Sequence, residues 1–103
     1  MTGINGKKWV HPKTGEVRYY VEASEVAALA GLEIHRHKTG NISSARLNGE
    51  EISNSEAARM LDYPVNIWLT EDGTAHMKVS GYARDYSAFW SDALVALEAQ
   101  GVQ

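Results

Sequence analysis

Alternation of apolar and polar positions marks residues 7–22 as a β-hairpin. Two runs rich in Trp, Val and Tyr flank a short loop, in which Pro12 presets a turn and Gly15 tolerates a positive φ. Strand periodicity puts every second side chain on the same face of the sheet. The apolar face is expected to comprise Trp9, Val17, Tyr19 and Val21. The opposite face is mixed and is expected to contact water, and it consists of Arg18, Tyr20 and Glu22.

Residues 64–80 carry the clearest hairpin pattern in the chain. An Asp-Gly turn separates two strictly alternating strands. One face is apolar throughout and consists of Val65, Ile67, Leu69, Ala75, Met77 and Val79. On the other face we expect Trp68 beside His76 and Lys78, which places an aromatic ring on an otherwise polar surface. Trp68 and Tyr20, one on each hairpin, are the aromatic side chains that we expect to be exposed.

Three segments carry helical patterns. Residues 24–31 form a short helical pattern that ends at a glycine. Residues 54–62 form another, at whose start Ser53 and Glu56 have capping-box spacing. Residues 85–100 form a longer amphipathic pattern. Its apolar stripe consists of Tyr86, Phe89, Trp90, Ala93, Leu94 and Leu97.

These elements predict an α+β fold in a single domain, residues 1–103. We expect a small antiparallel sheet of two or three β-hairpins, with two short helices and the C-terminal amphipathic helix packed on it. The 103 residues are 44% hydrophobic, which is typical of a globular domain and too few for two independent cores.

Composition also restricts the chemistry and the location of the protein. The chain has no cysteine, which excludes disulfides and thiolate metal sites. No apolar run approaches the length of a membrane span, and the N-terminal residues lack the apolar region of a signal peptide. We therefore predict a cytoplasmic protein with no membrane partner.

Residues 32–47 are open to two interpretations. Leu32, Ile34 and Arg36 alternate with polar residues, which favours a third hairpin that turns at Thr39-Gly40-Asn41. The same segment is also compatible with a loop followed by a short helical turn. The two interpretations put the same side chains on very different surfaces.

Charge is unevenly distributed along the chain. Residues 1–46 contain seven Lys or Arg against four Asp or Glu, whereas residues 47–103 contain three against nine. Residues 34–49 lack any carboxylate, and their basic side chains are His35, Arg36, His37, Lys38 and Arg46. Such a segment can contact phosphate or an acidic protein surface, although it can equally be a solvated face balanced by the acidic half.

Within residues 24–61, a small residue, Ala27, is followed four residues later by a glycine, Gly31. Further along, residues 42–49 have the sequence Ile-Ser-Ser-Ala-Arg-Leu-Asn-Gly. These motifs resemble the helix-turn-helix of lactose-repressor-like headpieces, in which two helices pack closely and the second enters the major groove. The resemblance is interrupted by a basic insertion at residues 33–41. The residues that it implies for contact with DNA are Ser43, Ser44 and Arg46.

Metal-binding and catalytic motifs are weak in this sequence. His35 and His37 would lie on one side of a strand, but a metal site would also need Glu33, His11 or His76. No Gly-x-Ser-x-Gly turn is present, and an adjacent Glu-Glu pair points to opposite faces of a strand. We therefore predict no metal site, no cofactor and no enzymatic activity.

The sequence favours a small regulatory protein that contacts nucleic acid through its basic central segment, together with aromatic side chains of the hairpins. The residues predicted for that contact are His35, Arg36, His37, Lys38, Ser43, Arg46, Tyr20, Trp68, His76 and Lys78. The alternative is a protein-binding inhibitor or adaptor of the mobile-element or phage type, which acts by occlusion through the acidic half or the Trp68 surface. Nothing in the sequence specifies the oligomeric state.

Overall fold

A computed structural model describes residues 4–61, 65–79 and 81–101. These residues form two antiparallel sheets and three α-helices, which confirms the α+β class. The strands are β1 (Lys7–Val10), β2 (Val17–Val21), β3 (Leu32–Arg36), β4 (Ile42–Leu47), β5 (Glu50–Ile52), β6 (Val65–Thr70) and β7 (Ala75–Val79). The helices are α1 (Ala23–Leu29), α2 (Asn54–Leu61) and α3 (Ser87–Gln100), the last preceded by a 3-10 helix, Gly81–Tyr86.

The two hairpins with the strongest sequence patterns both form, and they lie side by side in one sheet of four strands with the order β1-β2-β6-β7. Gly15 and Gly73 take positive φ in the two turns, as expected. In the second turn, the hydroxyl of Thr70 and the backbone N–H of Thr74 donate to the Asp72 carboxylate. These bonds hold the pKa of Asp72 below its usual value, and the Thr70 hydroxyl has the larger effect.

Residues 32–52 form a separate sheet of three strands with the order β3-β4-β5. The hairpin interpretation of residues 32–47 is therefore confirmed, while the single sheet that the pattern predicted is instead two sheets. The turn after β4 uses Asn48 and Gly49, both at positive φ, and leads directly into β5. Strand β5 was not predicted because Glu-Glu-Ile is too short to display an alternating pattern.

The helices differ from their predicted bounds only at their ends. Helix α1 begins one residue early, at Ala23, and α2 begins at Asn54 after Ser53, whose hydroxyl accepts the Glu56 N–H at 3.0 Å. Helix α3 begins at Ser87 and not at residue 85, because a 3-10 helix occupies the residues before it. The predicted end of α2 at Asp62 and the first and last residues of the second hairpin lie outside the described residues.

The helices pack against both sheets and close one hydrophobic core. Helix α1 contacts β6 of the larger sheet, β3 of the smaller sheet and helix α3. The core residues are Val26, Ala27, Leu32, Met60, Leu61, Ile67, Leu69, Trp90, Ala93 and Leu97. All six residues of the predicted apolar stripe on α3 either belong to this core or pack against it, which confirms the role of that helix.

Gly31 brings the end of α1 against the turn between β4 and β5. Its φ is +96°, a region that L-residues rarely adopt, and its carbonyl accepts the Asn48 N–H at 2.9 Å. A Cβ placed on Gly31 would lie 2.0 Å from Asn48 Oδ1. The backbone therefore requires glycine here, and any larger residue would also displace the Asn48 side chain.

Substitution of Gly31 tests this close contact. Gly31→Ala is expected to lower the free energy of unfolding by about 2 kcal/mol, because alanine is strained at this φ and the Asn48 side chain must leave its rotamer. Gly40→Ala is the matched control, since Gly40 has a φ of +95° and open space where its Cβ would lie. It should cost about 1 kcal/mol. Urea unfolding of both variants measures the difference, and equal losses would contradict the contact.

Candidate functional site

The four-stranded sheet has one face against the helices and one face turned away from them. Ile67 and Leu69 of β6 are buried in the core, so Trp68 between them projects from the opposite face. The strand register extends this alternation to β1, β2 and β7. We call this surface the outer sheet face, and it comprises Lys7, Trp9, Arg18, Tyr20, Asn66, Trp68, Thr70, His76 and Lys78.

One row of side chains crosses all four strands of the outer sheet face. Lys7 pairs with Tyr20, Tyr20 with Trp68, and Trp68 with His76. The ring centroids of Tyr20 and Trp68 are 5.8 Å apart, and those of Trp68 and His76 are 5.7 Å apart with 18° between the ring planes. Trp9 lies edge-on to Tyr20 at 6.3 Å. The rings therefore form a continuous aromatic surface at separations typical of attractive pairs.

Arg18 occupies the middle of this aromatic surface. Its Cζ lies 4.5 Å from the centroid of the Trp68 ring and 5.6 Å from that of Trp9. Nε and Nη2 donate to the two carboxylate oxygens of Glu16 at 3.2 and 3.3 Å, and Nη1 donates to the Tyr20 hydroxyl at 3.1 Å. These bonds, Glu16 first and then Tyr20, raise the pKa of Arg18 above its ordinary value. The guanidinium is thus a fixed, charged plane among the rings.

The strand positions of the outer sheet face carry only positive charge, although the protein has a net charge of -3. At the outward positions of the described strands, Lys7, Arg18 and Lys78 are cationic and no residue is acidic. Carboxylates lie at the margin of the face: Glu16 is paired with Arg18, Glu22 lines a groove with Lys7, and Asp72 accepts the hydroxyl of Thr70. An anionic ligand therefore finds two exposed lysines at opposite edges of the face.

The position of Trp9 differs from the prediction. It was expected on the apolar inner face, but it pairs with Arg18 on the outer sheet face and is 38% exposed. The loop closes with the His11 N–H donating to the Glu16 carbonyl at 2.8 Å, and the register that follows from this closure decides the face. Tyr20 and Trp68 are on the predicted face, but they are half-buried because they cover each other.

The basic residues of the central segment lie on the other sheet. Strands β3 and β4 with their turn, which we call the basic hairpin, expose His35, Arg36, His37 and Lys38. Two polar side chains there make structural bonds: Arg36 Nη1 donates to the Gly40 carbonyl at 2.7 Å, and Ser43 Oγ donates to the His35 carbonyl at 3.1 Å. The predicted site residues are therefore divided between the two sheets.

Residues 42–47 form a strand, so the recognition helix implied by the headpiece resemblance is absent from this segment. Strand β4 pairs with β3 on one side and β5 on the other, and Ala45 is buried in the core-facing side. Arg46 lies in register between Glu33 and Glu51 on the exposed side of this sheet. The expectation that Ser43, Ser44 and Arg46 lie on a groove-reading helix was wrong.

The histidines are not gathered at one place. His35 and Glu33 share the exposed side of the smaller sheet, whereas His76 belongs to the larger sheet and His11 to its first turn. The Nδ1 atom of His11 accepts the N–H groups of Lys13 and Thr14. Within the part of the chain that the structure describes, no three His, Cys, Asp or Glu side chains are arranged to hold a metal ion.

The acidic residues are likewise spread over several elements, on β5, α2, α3 and the turn between β6 and β7. A cleft of about 370 Å³ lies where α3 meets the larger sheet, and Glu71 and Glu98 contribute to its lining. Glu98 has a structural role there, because its carboxylate accepts the Ala75 N–H at 2.7 Å on the edge strand β7.

Among the described residues, no helix has the length and apolar character needed to cross a membrane. Comparison of the chain with protein-family models, with curated proteins and with solved structures yields no significant match.

Proposed function

We propose that this is a small regulatory binding protein of the cytoplasm that contacts single-stranded nucleic acid through the outer sheet face. The observation that carries the proposal is the unbroken row of Lys7, Tyr20, Trp68 and His76 across four antiparallel strands. Single-strand-binding surfaces combine positive charge along the backbone path with aromatic rings on which bases stack. A sheet of four strands with exposed aromatic side chains is one recurring architecture for this task.

The rings favour a single strand over a duplex. In a duplex the bases stack on each other, and proteins read their edges from the grooves. Trp9, which is 38% exposed, and the uncovered parts of the half-buried Trp68 and Tyr20 rings offer surface that only an unstacked base can use. Lys7 on β1 and Lys78 on β7 are exposed at the two edges of the face, where they can neutralise phosphates on either side of the stacked bases.

The basic hairpin is a poorer primary site than the outer sheet face. Arg46 lies between Glu33 and Glu51, which weaken the attraction of that sheet for phosphate. The hairpin also lacks Trp, Tyr and Phe, so its only rings are the small imidazoles of His35 and His37. We assign to its exposed His35 and Lys38 only a contribution to the long-range attraction of an anionic ligand.

Salt-dependent binding tests the proposed function. Fluorescence anisotropy with labelled mixed-sequence DNA and RNA single strands should show binding whose log K falls with log salt at a slope of about -1.4, as expected for two lysines on a single strand. Lys7→Ala and Lys78→Ala should each reduce this slope by about 0.7. Lys38→Ala on the basic hairpin is the charge-matched control and should change the slope far less than either of these variants.

The duplex of the same sequence provides a second comparison and should bind more weakly than either strand. No change of anisotropy at low salt with either DNA or RNA would refute the proposal. A slope that depends on Lys38 and not on Lys7 or Lys78 would move the site to the basic hairpin.

The same surface supports a second candidate, a protein partner that is inhibited or recruited by occlusion. The outer sheet face contains Trp9, Trp68, Tyr20 and Arg18, and these residue types dominate the binding energy of protein interfaces. Affinity capture from the native host, repeated with Trp68→Ala, tests this candidate. A stoichiometric protein that is lost with the variant, in the absence of nucleic-acid binding, would favour it.

A further inference from the structure

We infer that the Arg18 guanidinium is a phosphate-binding site which the Glu16 carboxylate occupies in the free protein. A single strand would then displace Glu16 when it binds, so the inference rests on the proposed function. Arg18 is well placed for such a site, because it lies within the aromatic surface at 4.5 Å from the Trp68 ring. A phosphate at Arg18 would be next to bases stacked on the rings.

The geometry of the ion pair is that of a phosphate contact. Nε and Nη2 of Arg18 donate to separate oxygens of Glu16, and this planar fork of donors also binds two oxygens of a phosphate. The two distances, 3.2 and 3.3 Å, exceed the roughly 2.7–2.9 Å of strong charge-assisted bonds. The side chains are 27% and 43% exposed, so the pair is of the weak surface kind and can exchange.

Arg18 does not depend on Glu16 for its position. Its third nitrogen, Nη1, donates to the Tyr20 hydroxyl at 3.1 Å, and its plane packs against the Trp68 ring. The Glu16 backbone is held separately, since its N–H donates to Thr14 Oγ1 and its carbonyl accepts the His11 N–H. The carboxylate can therefore turn away without disturbing either the guanidinium or the hairpin.

This arrangement makes Glu16 an internal competitor for phosphate. An isolated anion gains little free energy at Arg18, because it only takes the place of the Glu16 carboxylate. A single strand gains in addition the stacking of its bases on Trp68 and Tyr20. The pair thus favours ligands that bring bases and phosphate together.

Glu16→Gln is the decisive variant. It should bind single strands roughly twofold to fivefold more tightly than wild type, a range set by the strength of exposed ion pairs. It should also steepen the salt slope by about 0.7, because the contact of Arg18 with phosphate then adds an ion pair, whereas in wild type it only replaces the pair with Glu16. Asp92→Asn is the control, because it removes the same charge from an exposed position on α3. It should change neither quantity by a comparable amount.

Three results separate this inference from the proposed function. Suppose that wild type binds single strands but Glu16→Gln binds no more tightly than Asp92→Asn, or more weakly than wild type. The inference would then be overturned while the proposed function stands, since Glu16 would only position Arg18. Binding by neither wild type nor Glu16→Gln would overturn both. An independent readout uses inorganic phosphate and the NMR signal of the Arg18 Nε–H group, which should shift further in Glu16→Gln and in Glu16→Ala than in wild type.

Discussion

Trp68→Ala is expected to weaken the binding of single strands by about fivefold to 150-fold, because stacking on one aromatic side chain contributes about 1–3 kcal/mol per base. Trp68 is the centre of the outer sheet face: Tyr20 and His76 flank its ring, and Arg18 packs over it. Its loss removes one stacking surface and also the support of the guanidinium. Fluorescence anisotropy at constant salt measures the effect.

Two comparisons decide whether this loss of affinity comes from the ring. Trp68→Phe keeps an aromatic plane and should retain most of the affinity, whereas Val95→Ala truncates an apolar residue on α3 that is 67% exposed and should have no effect. Trp68→Ala should lower the free energy of unfolding by only about 1 kcal/mol, the usual worth of a cross-strand aromatic contact. Unchanged affinity in a folded Trp68→Ala protein would exclude the outer sheet face as the binding surface.

The elements with long, regular patterns were predictable from the sequence, and those that depend on tertiary pairing were not. The hairpin around Asp72-Gly73 and the helix that carries Trp90 follow from periodicities of two and 3.6 residues. Strand β5, Glu50–Ile52, has no pattern of its own and exists because the Asn48-Gly49 turn returns the chain beside β4. A local pattern likewise does not say whether hairpins share a sheet.

The helix-turn-helix resemblance illustrates the same limit. Gly31 suits both arrangements. A glycine can end a helix where other backbone comes close, whether that backbone belongs to a second packed helix or to a turn. In the structure the neighbour is Asn48 of a β-turn, 2.0 Å from a Cβ built on Gly31. The short motif could not distinguish these neighbours because both demand the same small residue.

The candidate site was predictable in part. Tyr20, Trp68, His76 and Lys78 were placed on one kind of surface by strand alternation alone, and the register brings them together. Trp9 was assigned to the wrong face because its large apolar ring suggested burial, whereas the loop register decides the face. Lys7 follows from Trp9, so counting the loop residues was the signal that would have placed both, whereas strand alternation had already placed Arg18 on the face of Tyr20.

Trp90→Ala is expected to have the largest effect on stability, a loss of about 3–5 kcal/mol in the free energy of unfolding. Trp90 is 1% exposed and contacts Phe89 edge-on at 5.2 Å, so its removal leaves a cavity in the core. Its Nε1–H also donates to the Met60 carbonyl at 3.1 Å. That carbonyl is in the last turn of α2, where no intrahelical N–H is available to pair with it.

Trp90→Phe separates the hydrogen bond from the volume. It keeps a ring but removes the donor, and the buried Met60 carbonyl without a partner should cost about 1–3 kcal/mol. Urea unfolding followed by far-UV circular dichroism measures both variants without relying on tryptophan fluorescence. A loss for Trp90→Phe within error of zero would contradict the importance of the bond between α3 and α2.

The two tryptophans should then show opposite behaviour. Because Trp90 lies in the core that supports the sheet from within, Trp90→Phe should bind single strands as wild type does under conditions where it is fully folded. Trp68→Ala should remain nearly as stable as wild type and lose affinity. If Trp90→Phe lost affinity while folded, the core would control the outer sheet face through the strands between them, and stacking alone would not account for the loss in Trp68→Ala.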